Sequence, residues 1–351
     1  MTRVLMEGSA ALAEAAVQAG CRFYAGYPIT PSTEILEYMS TRLPEVGGTC
    51  MNAESELEAI GMVWGAAGCG VRSMIASTGQ GISLMQESFA ELANAQIPIV
   101  AVNMCRGQGD YFQATRGGGH GDYRHLVLAP ATVQEAVDLT QLAFHLADKW
   151  RNPVQLMGDF LLAHTAESVE IGTPDEAPLP PKDWAVGGAA GREAITLSPL
   201  GPREKLSTDV GGRIAAAAAK VRDMAAAEVR VETGHLDDAE LVVVAFGSPA
   251  RFVKYAVRLA RERGLRVGWV RPISLWPFPT EAVAAAAEGV RAVAVYELNA
   301  GQMIEDVRLA VLGRAPVVAI GGISHDHSGF GVGPALRVEP VLARIQEAYA
   351  A

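Results

Sequence analysis

Four cysteines in 351 residues are too few, and too scattered, to build a metal centre. Cys21, Cys50, Cys69 and Cys105 form no Cys-x-x-Cys pair. An iron–sulfur cubane or a structural zinc held by this chain alone is therefore excluded, and buried thiols are expected. Basic charge is also scarce. Lys and Arg number 29 against 39 Asp and Glu, for a formal net charge of -10. Nothing resembles a basic patch, so nucleic acid is not an expected partner. No apolar run approaches the roughly 18 residues of a membrane span, and no signal peptide opens the sequence. A cytoplasmic protein is expected. The six-position dinucleotide glycine pattern, a Walker lysine and a Gly-Asp-Gly magnesium motif are all missing.

What remains is glycine, alanine and alternation. Half the residues are apolar and 37 are glycine. Small residues let helices, sheets and bound cofactors approach closely. Residues 1–172 read as an α/β unit, with helices at 10–19, 33–43, 56–67, 82–92 and 133–147. Apolar strands are expected at 21–25, 71–76, 97–103 and 154–157. Four prolines in the nine residues Thr173–Pro181 mark a linker or an arm lying over a neighbour. Residues 173–235 are weakly patterned apart from an Ala-rich helix within 212–229. A second α/β unit occupies 236–351. Its strands are expected at 241–246, 265–270, 290–296 and 316–320, its helices at 250–263, 281–287, 302–312 and 339–349. Residues 271–279, rich in proline, read as a stiff connector. Helices alternating with apolar strands imply two three-layer α/β domains with mostly parallel sheets.

Gly26-Tyr-Pro-Ile-Thr-Pro-Ser32 is the most informative stretch. A strand ends, a proline-stiffened turn follows, and a helix begins at Ser32, read as its N-cap. Thr30 then lies at a strand's carboxyl end, where open α/β sheets bind ligands. Glu54, Glu56 and Glu58 crowd the entrance of an apolar helix. Acid there suits the helix dipole without any chemistry. A buried member needs a partner, though, and no Lys or Arg lies nearby in sequence to supply one. A bound cationic heterocycle can do so. Ala59, Gly61 and Gly65 leave room for something flat. The Thr78-Gly-Gln-Gly81 turn offers amides at the next helix start.

Arg106 follows an apolar strand, a place from which a guanidinium can hold a carboxylate by two hydrogen bonds; a structural ion pair is the other reading. Arg116-Gly-Gly-Gly-His-Gly-Asp-Tyr-Arg124 suits a substrate rim or a subunit seam. Glu297-Leu-Asn-Ala-Gly-Gln302, at another strand end, can touch a cofactor phosphate or a partner chain. Ser324-His-Asp-His327 is either a metal candidate or a loop packing on another subunit.

Taken together, Tyr27-Pro-Ile-Thr-Pro-Ser32, Glu56 in its Gly/Ala helix, and Phe112-Gln-Ala-Thr-Arg-Gly-Gly-Gly-His-Gly-Asp-Tyr-Arg124 resemble the thiamine-diphosphate-dependent 2-oxoacid:ferredoxin oxidoreductases. The likeness is to the subunit with pyrimidine-binding and transketolase-C-terminal-like domains, and extends through Arg271-Pro272 and Gly301-Gln-Met-Ile304. The resemblance implies CoA-dependent oxidative decarboxylation of a 2-oxoacid, an activity of the EC 1.2.7 class. Glu56 would hydrogen-bond N1′ of the aminopyrimidine, and Thr30 and Arg106 would grip the substrate carboxylate. Pro28, Ile29, Gly79 and Gln80 join Glu56 in contacting the cofactor, and no residue of this chain is assigned to metal.

The thiamine diphosphate would be shared with a partner subunit that binds its diphosphate and Mg2+. Iron–sulfur clusters would sit on a ferredoxin-like subunit. Ferredoxin and a small CoA-related or linker subunit are further implied partners. The 112–124 string looks most like the branched-chain type acting on 3-methyl-2-oxobutanoate. 2-Oxoglutarate, an aryl 2-oxoacid, or a non-oxidative thiamine enzyme are the alternatives. One departure stands out: Arg106-Gly-Gln-Gly-Asp110 replaces a longer Gly/Pro-rich loop.

Overall fold

The computed structural model describes residues 3–173, 178–188, 191–199, 210–322 and 336–351. The first unit runs β1 (Arg3–Glu7), α1 (Gly8–Gln18), β2 (Phe23–Gly26), α2 (Thr33–Glu45), β3 (Thr49–Asn52), α3 (Glu56–Gly68) and β4 (Ser73–Ser77). It continues through α4 (Gly79–Leu84), α5 (Gln86–Asn94), β5 (Val100–Cys105), α6 (Tyr111–Arg116), β6 (Leu126–Leu128), α7 (Val133–Trp150), β7 (Val154–Asp159), α8 (Phe160–His164) and β8 (Ala166–Glu170). Next come α9 (Val210–Ala227), β9 (Val231–Gly234), β10 (Leu241–Val244), α10 (Gly247–Glu262), β11 (Val267–Pro272), β12 (Ser274–Trp276) and α11 (Thr280–Ala286). β13 (Ala292–Val295), α12 (Met303–Val311), β14 (Val317–Ala319) and α13 (Val338–Ala350) complete the chain.

The first sheet has the order β12-β6-β7-β5-β4-β2-β3, parallel except where β12 meets β6. β5, Val-Ala-Val-Asn-Met-Cys, is buried at every position, as a central strand covered on both faces must be. One face packs on α1, α2 and α7 through Leu12, Ile35, Met39 and Phe144. The other packs on α3 and α5 through Ile60, Val63 and Phe89. Thr132 caps α7 by accepting from the Glu135 amide at 3.1 Å, and Arg151 in the left-handed region ends it. The second sheet, β14-β13-β10-β11-β9, is parallel but for its β9 edge. Alternation along β10 sends Val242 and Val244 toward the first unit, and Leu241 and Val243 toward α10 and α13.

Three expectations change. The 82–92 helix is two, α4 and α5, broken at Met85. The 271–279 connector contains β12, which leaves the second unit and pairs antiparallel with β6 of the first. β9 lies in the second sheet although it precedes residue 236. The units are therefore laced together, and one apolar cluster joins Cys105, Tyr111, Val127 and Met157 to Val242, Phe246, Val270 and Val295. Short strands such as β3, β6, β9 and β12 carry three or four residues each, too few for a periodic signal. Residues 182–186 of the 173–235 region lie against the first unit: Val186 donates to the Gly68 carbonyl, Lys182 pairs with Asp148, and Arg151 stacks on Trp184. The Ala-rich helix is α9, and Met224 anchors it in the first core. Thr173–Pro181 is described in part, and Ser324-His-Asp-His327 lies outside the described residues.

Candidate functional site

Strand β3 lies on one side of β2 and β4 on the other, so the chain reverses direction across the sheet at β2. A crevice at the carboxyl ends of strands is expected at such a reversal. Three segments converge there: the loop after β2, the first turn of α3, and the exit of β4.

Glu56 is the first residue of α3 and only 4% exposed, while Glu54 and Glu58 on either side of it are exposed. The reason is the helix phase. Glu56 shares a face with Ala59, Ile60, Val63 and Ala67, all buried. Ser55 caps the helix by accepting from the Glu58 amide at 3.4 Å. The Ser77 hydroxyl, at the end of β4, donates to Glu56 Oε1 at 2.8 Å. Among the described residues no cationic side chain forms an ion pair with Glu56. A carboxylate out of water with one neutral donor is under-compensated, and a ligand donor or a shared proton would relieve it.

Two further oxygens in the same crevice are buried without partners. They are Thr78 Oγ1, next to Ser77, and Asn103 Oδ1, whose residue sits opposite Ser77 in the β4–β5 register. Room beside Glu56 is provided by α4, not by its own helix. Gly61 and Gly65 face outward with nothing near, since five and nine residues along a helix turn them off the Glu56 face. A Cβ at Gly81 would overlap Ser77 Oγ and Glu56 Oε1, so only glycine fits. At Gly79 a Cβ would stand 2.7 Å from the Asp110 carboxylate oxygens. Gly79 is half-buried and Gln80 exposed at the start of α4. Pro28 is exposed and Ile29 half-buried on the loop from the adjoining strand β2.

Thr30 and Arg106 are brought together. Arg106 Nε donates to the Thr30 carbonyl at 3.1 Å. Thr30 is exposed and Arg106 half-buried, and no carboxylate among the described residues pairs with the guanidinium. Its terminal nitrogens are thus available to an incoming anion. Ser32 does not cap through its side chain; the hydroxyl turns back to the Ile29 carbonyl at 2.8 Å, which stiffens the loop instead. Burial, helped by the Asp110 carboxylate, pushes the Cys105 thiol well up, which makes it a packed thiol and not a nucleophile.

Other candidate residues have partners within the chain. His120 pairs with Glu91 at 3.0 Å and Arg116 with Asp306 at 2.8 Å. His125 is buried on Phe89, and burial takes its imidazole down to about 4, against its bond to Gln155. In the Glu297–Gln302 segment, three amides at the start of α12 already have an acceptor within the chain. Glu297 is itself the anion at the start of α12, accepting from the amides of Gln302, Met303 and Ile304 at 3.1, 2.8 and 3.1 Å. Ser77, Asn103 and Asp110 were missed from sequence; the available signal was polar residues closing otherwise apolar strands.

The family described as "pyruvate flavodoxin/ferredoxin oxidoreductase, thiamine diP-bdg" matches residues 14–203, and "pyruvate:ferredoxin oxidoreductase core domain II" matches 239–328. The ketoisovalerate oxidoreductase subunit VorB of Methanothermobacter thermautotrophicus is 42% identical over 323 residues, covering 88% of this chain and 90% of that one. The 2-oxoglutarate synthase subunit KorA of the same organism is 38% identical over 362 residues, covering 91% and 95%. The chain belongs to the thiamine-diphosphate-dependent 2-oxoacid:ferredoxin oxidoreductase family and is an enzyme subunit of it. Its fold matches the solved 2-oxoglutarate:ferredoxin oxidoreductase from Magnetococcus marinus with a TM-score of 0.81 at 24% identity, over 99% of this chain and 65% of the other. A split-gene transketolase has the same fold at a TM-score of 0.59 and 14% identity, covering 98% of each chain. The two α/β domains are thus of the pyrimidine-binding and transketolase-C-terminal types.

Proposed function

We propose that this chain supplies the pyrimidine side of a shared thiamine diphosphate site in a cytoplasmic complex that oxidatively decarboxylates 3-methyl-2-oxobutanoate to its acyl-CoA, with electrons passed to ferredoxin. The carrying observation is Glu56: buried, hydrogen-bonded to Ser77, and without a cation, at the reversal point of the sheet. The residues suit the cofactor. An aminopyrimidine brings a ring nitrogen for the carboxyl group and amine hydrogens for acceptors such as the unpartnered Asn103 Oδ1. Glycines 79 and 81 keep the floor of the crevice low.

When bound, thiamine diphosphate supplies the acidic carbon that adds to the keto group and the electron sink for loss of CO2. Glu56 shares its proton with the ring nitrogen, and Ser77 holds the carboxyl group in the orientation for that bond. Pro28, Ile29, Gly79 and Gln80 wall the ring. The Thr30 side chain and the free nitrogens of Arg106 hold the substrate carboxylate as fixed donors. Mg2+ and the diphosphate fall to one partner subunit, the iron–sulfur clusters to another, and a small CoA-related or linker subunit completes the assembly. In this reading the two functional domains are residues 1–172 and 236–351, with β9 of the 173–235 region added to the second sheet and β12 crossing to the first.

Glu56→Gln in the assembled complex tests the assignment. It keeps size and hydrogen-bonding shape but cannot exchange a proton with the ring nitrogen. Turnover with a dye acceptor should fall by about two to four orders of magnitude while the subunits still assemble. Wild-type turnover would end the assignment. The substrate rests on the 112–124 string and the VorB relative; KorA at 38% identity supports 2-oxoglutarate as the second reading. A 2-oxoacid panel decides between them: kcat/KM highest for 2-oxoglutarate would displace the branched-chain substrate.

A further inference from the structure

The loop that carries Arg106 is short and flexible by composition. Gly107 and Gly109 flank Gln108, and a Cβ at Gly109 would touch nothing. Yet the segment is held at several of its polar atoms, and apart from Asn103, which donates to Asp110 at 3.1 Å, the holding groups belong to the second domain. Gln108 is 2% exposed. Its Nε2 donates to the Phe246 carbonyl at 3.0 Å, and its Oε1 accepts from the Leu298 amide at 2.9 Å. Its own carbonyl accepts from Asn299 Nδ2 at 2.9 Å. Gln302 makes a second clasp: Oε1 accepts from the Phe112 amide and Nε2 donates to the Gly109 carbonyl, both at 2.7 Å. Asp306 makes a third, accepting from the Tyr111 hydroxyl at 2.6 Å and from Arg116 at 2.8 Å. The platform is itself fixed, because Glu297 caps α12 and the Gly301 amide donates to Asn299 Oδ1 at 2.8 Å.

We propose that the transketolase-C-terminal-like domain sets the position of the substrate-carboxylate arginine, with Gln302 as the positioning residue that clamps the 107–112 loop. This rests on the reading of Arg106 given above. Nothing in the loop's own sequence can fix a guanidinium: two glycines cost conformational entropy on ordering, and the segment is too short to bury a core of its own. The clasps from Phe246, the 298–302 segment and Asp306 supply that order, and a misplacement near 1 Å at a binding group is enough to matter. The shortened loop thus exchanges self-packing for bracing by a second domain. A purely cohesive role for the same bonds would affect domain docking and leave substrate binding alone.

The test uses the assembled complex with thiamine diphosphate, CoA and a dye acceptor. Gln302 is half-exposed, so Gln302→Ala removes two bonds to the loop without opening a core. KM for the 2-oxoacid should rise about tenfold, while the thiamine diphosphate affinity stays within about twofold. Gln302→Glu keeps an acceptor for the Phe112 amide but sets a carboxylate oxygen against the Gly109 carbonyl, and should raise KM at least as much as Gln302→Ala. In an Arg106→Met background, Gln302→Ala should add nothing further to KM, because both act through one group.

Hydrogen exchange on the complex without cofactor gives a readout independent of turnover. Amides 107–113 should exchange faster in Gln302→Ala, and those of α3 should not. If Arg106→Met raises KM and Gln302→Ala does not, the clamp is refuted and the arginine's role stands. If Arg106→Met leaves KM unchanged, the carboxylate reading itself fails. Should Gln302→Ala not assemble, Gln302→Glu carries the same comparison. A lowered melting temperature with unchanged KM and unchanged exchange in 107–113 also overturns the proposal.

Discussion

Gly81→Ala probes the Glu56 pair from a neighbour that offers no side chain of its own. A Cβ at position 81 would stand 2.5 Å from the Glu56 carboxyl carbon, where 3.4 Å is an ordinary contact, and would also overlap Ser77 Oγ. Glu56 Oε1 is nearer still, at 2.2 Å, so the carboxyl group must retreat by about 1.2 Å, or α4 must shift by as much. Helix propensity works the other way, since alanine is worth about 1 kcal/mol over glycine inside a helix. Overpacking costs about 1–3 kcal/mol, so net stability should drop by no more than about 2 kcal/mol and the subunit should still fold. Activity should suffer far more: displacing a proton-sharing group by more than about 1 Å is expected to cost about 100-fold in kcat.

Gly65→Ala is the matched control. It lies on the outer face of α3 with nothing within 4 Å of the added methyl, and should stabilise by up to about 1 kcal/mol with turnover unchanged. The assay is dye-coupled turnover of the reconstituted complex, with thermal melts and thiamine diphosphate titration on the same samples. Wild-type kcat in Gly81→Ala, at a melting temperature showing a folded protein, would refute the idea that the Glu56–Ser77 geometry matters. So would equal losses in Gly65→Ala.

Arg271→Met removes a buried guanidinium that makes two 2.7 Å bonds to Glu135 of α7 and lies 2.9 Å from Glu232 of β9. Two carboxylates then face each other across the domain seam, and urea denaturation should show a loss of about 3–5 kcal/mol at neutral pH. Burial alone would raise the Glu135 carboxyl, but the Arg271 bonds and the Ala131 amide bring it below the ordinary value; the pair's contribution is complete above the unfolded carboxylate range and fades as pH falls through the folded one. The wild-type advantage over Arg271→Met should shrink below about pH 4. His125 gives the complementary pH test. It titrates near 4 in the fold against 6.5 when free, so the unfolded chain binds the proton first and stability falls as pH drops from 6.5 toward 4. The loss at the lower end is on the order of 3 kcal/mol, and His125→Gln should flatten that part of a urea-midpoint profile relative to wild type.

Much of the fold could be read because its central strands are apolar at nearly every position and buried on both faces. β5, β7 and β10 repeat that pattern, and the helices between them carry the 3.6-residue period. The strands that escaped are those whose existence depends on a distant partner. β12 is Ser-Leu-Trp inside a proline-rich run, and only its pairing with β6, nearly 150 residues earlier in the chain, makes it a strand. Local sequence carries no trace of such a partner. β9 is the same case at the opposite edge, and together they explain why a clean cut between two units was read where the chain in fact crosses back.

The site divides along the same line. Glu56 was singled out from its two neighbours by the family resemblance, and helix phase, which is local, gives the physical reason: only position 56 shares the face of Ala59, Ile60 and Val63. Thr30 and Arg106 were each placed at a strand exit by pattern, and the 3.1 Å bond that joins them follows from the strand order, which brings loops 76 residues apart to one edge of the sheet. Gly61 and Gly65 misled because their number was weighed without their phase. Ser77, Asn103 and Gly81 were out of reach for another reason. Each matters only through what lies across from it: a hydroxyl under a carboxylate, an amide oxygen opposite that hydroxyl, and a missing methyl where both would collide. A single sequence gives residue types and spacings. It does not give which small residue stands under which charged one, and in this crevice that relation decides whether Glu56 meets an aromatic ring or a wall of protein.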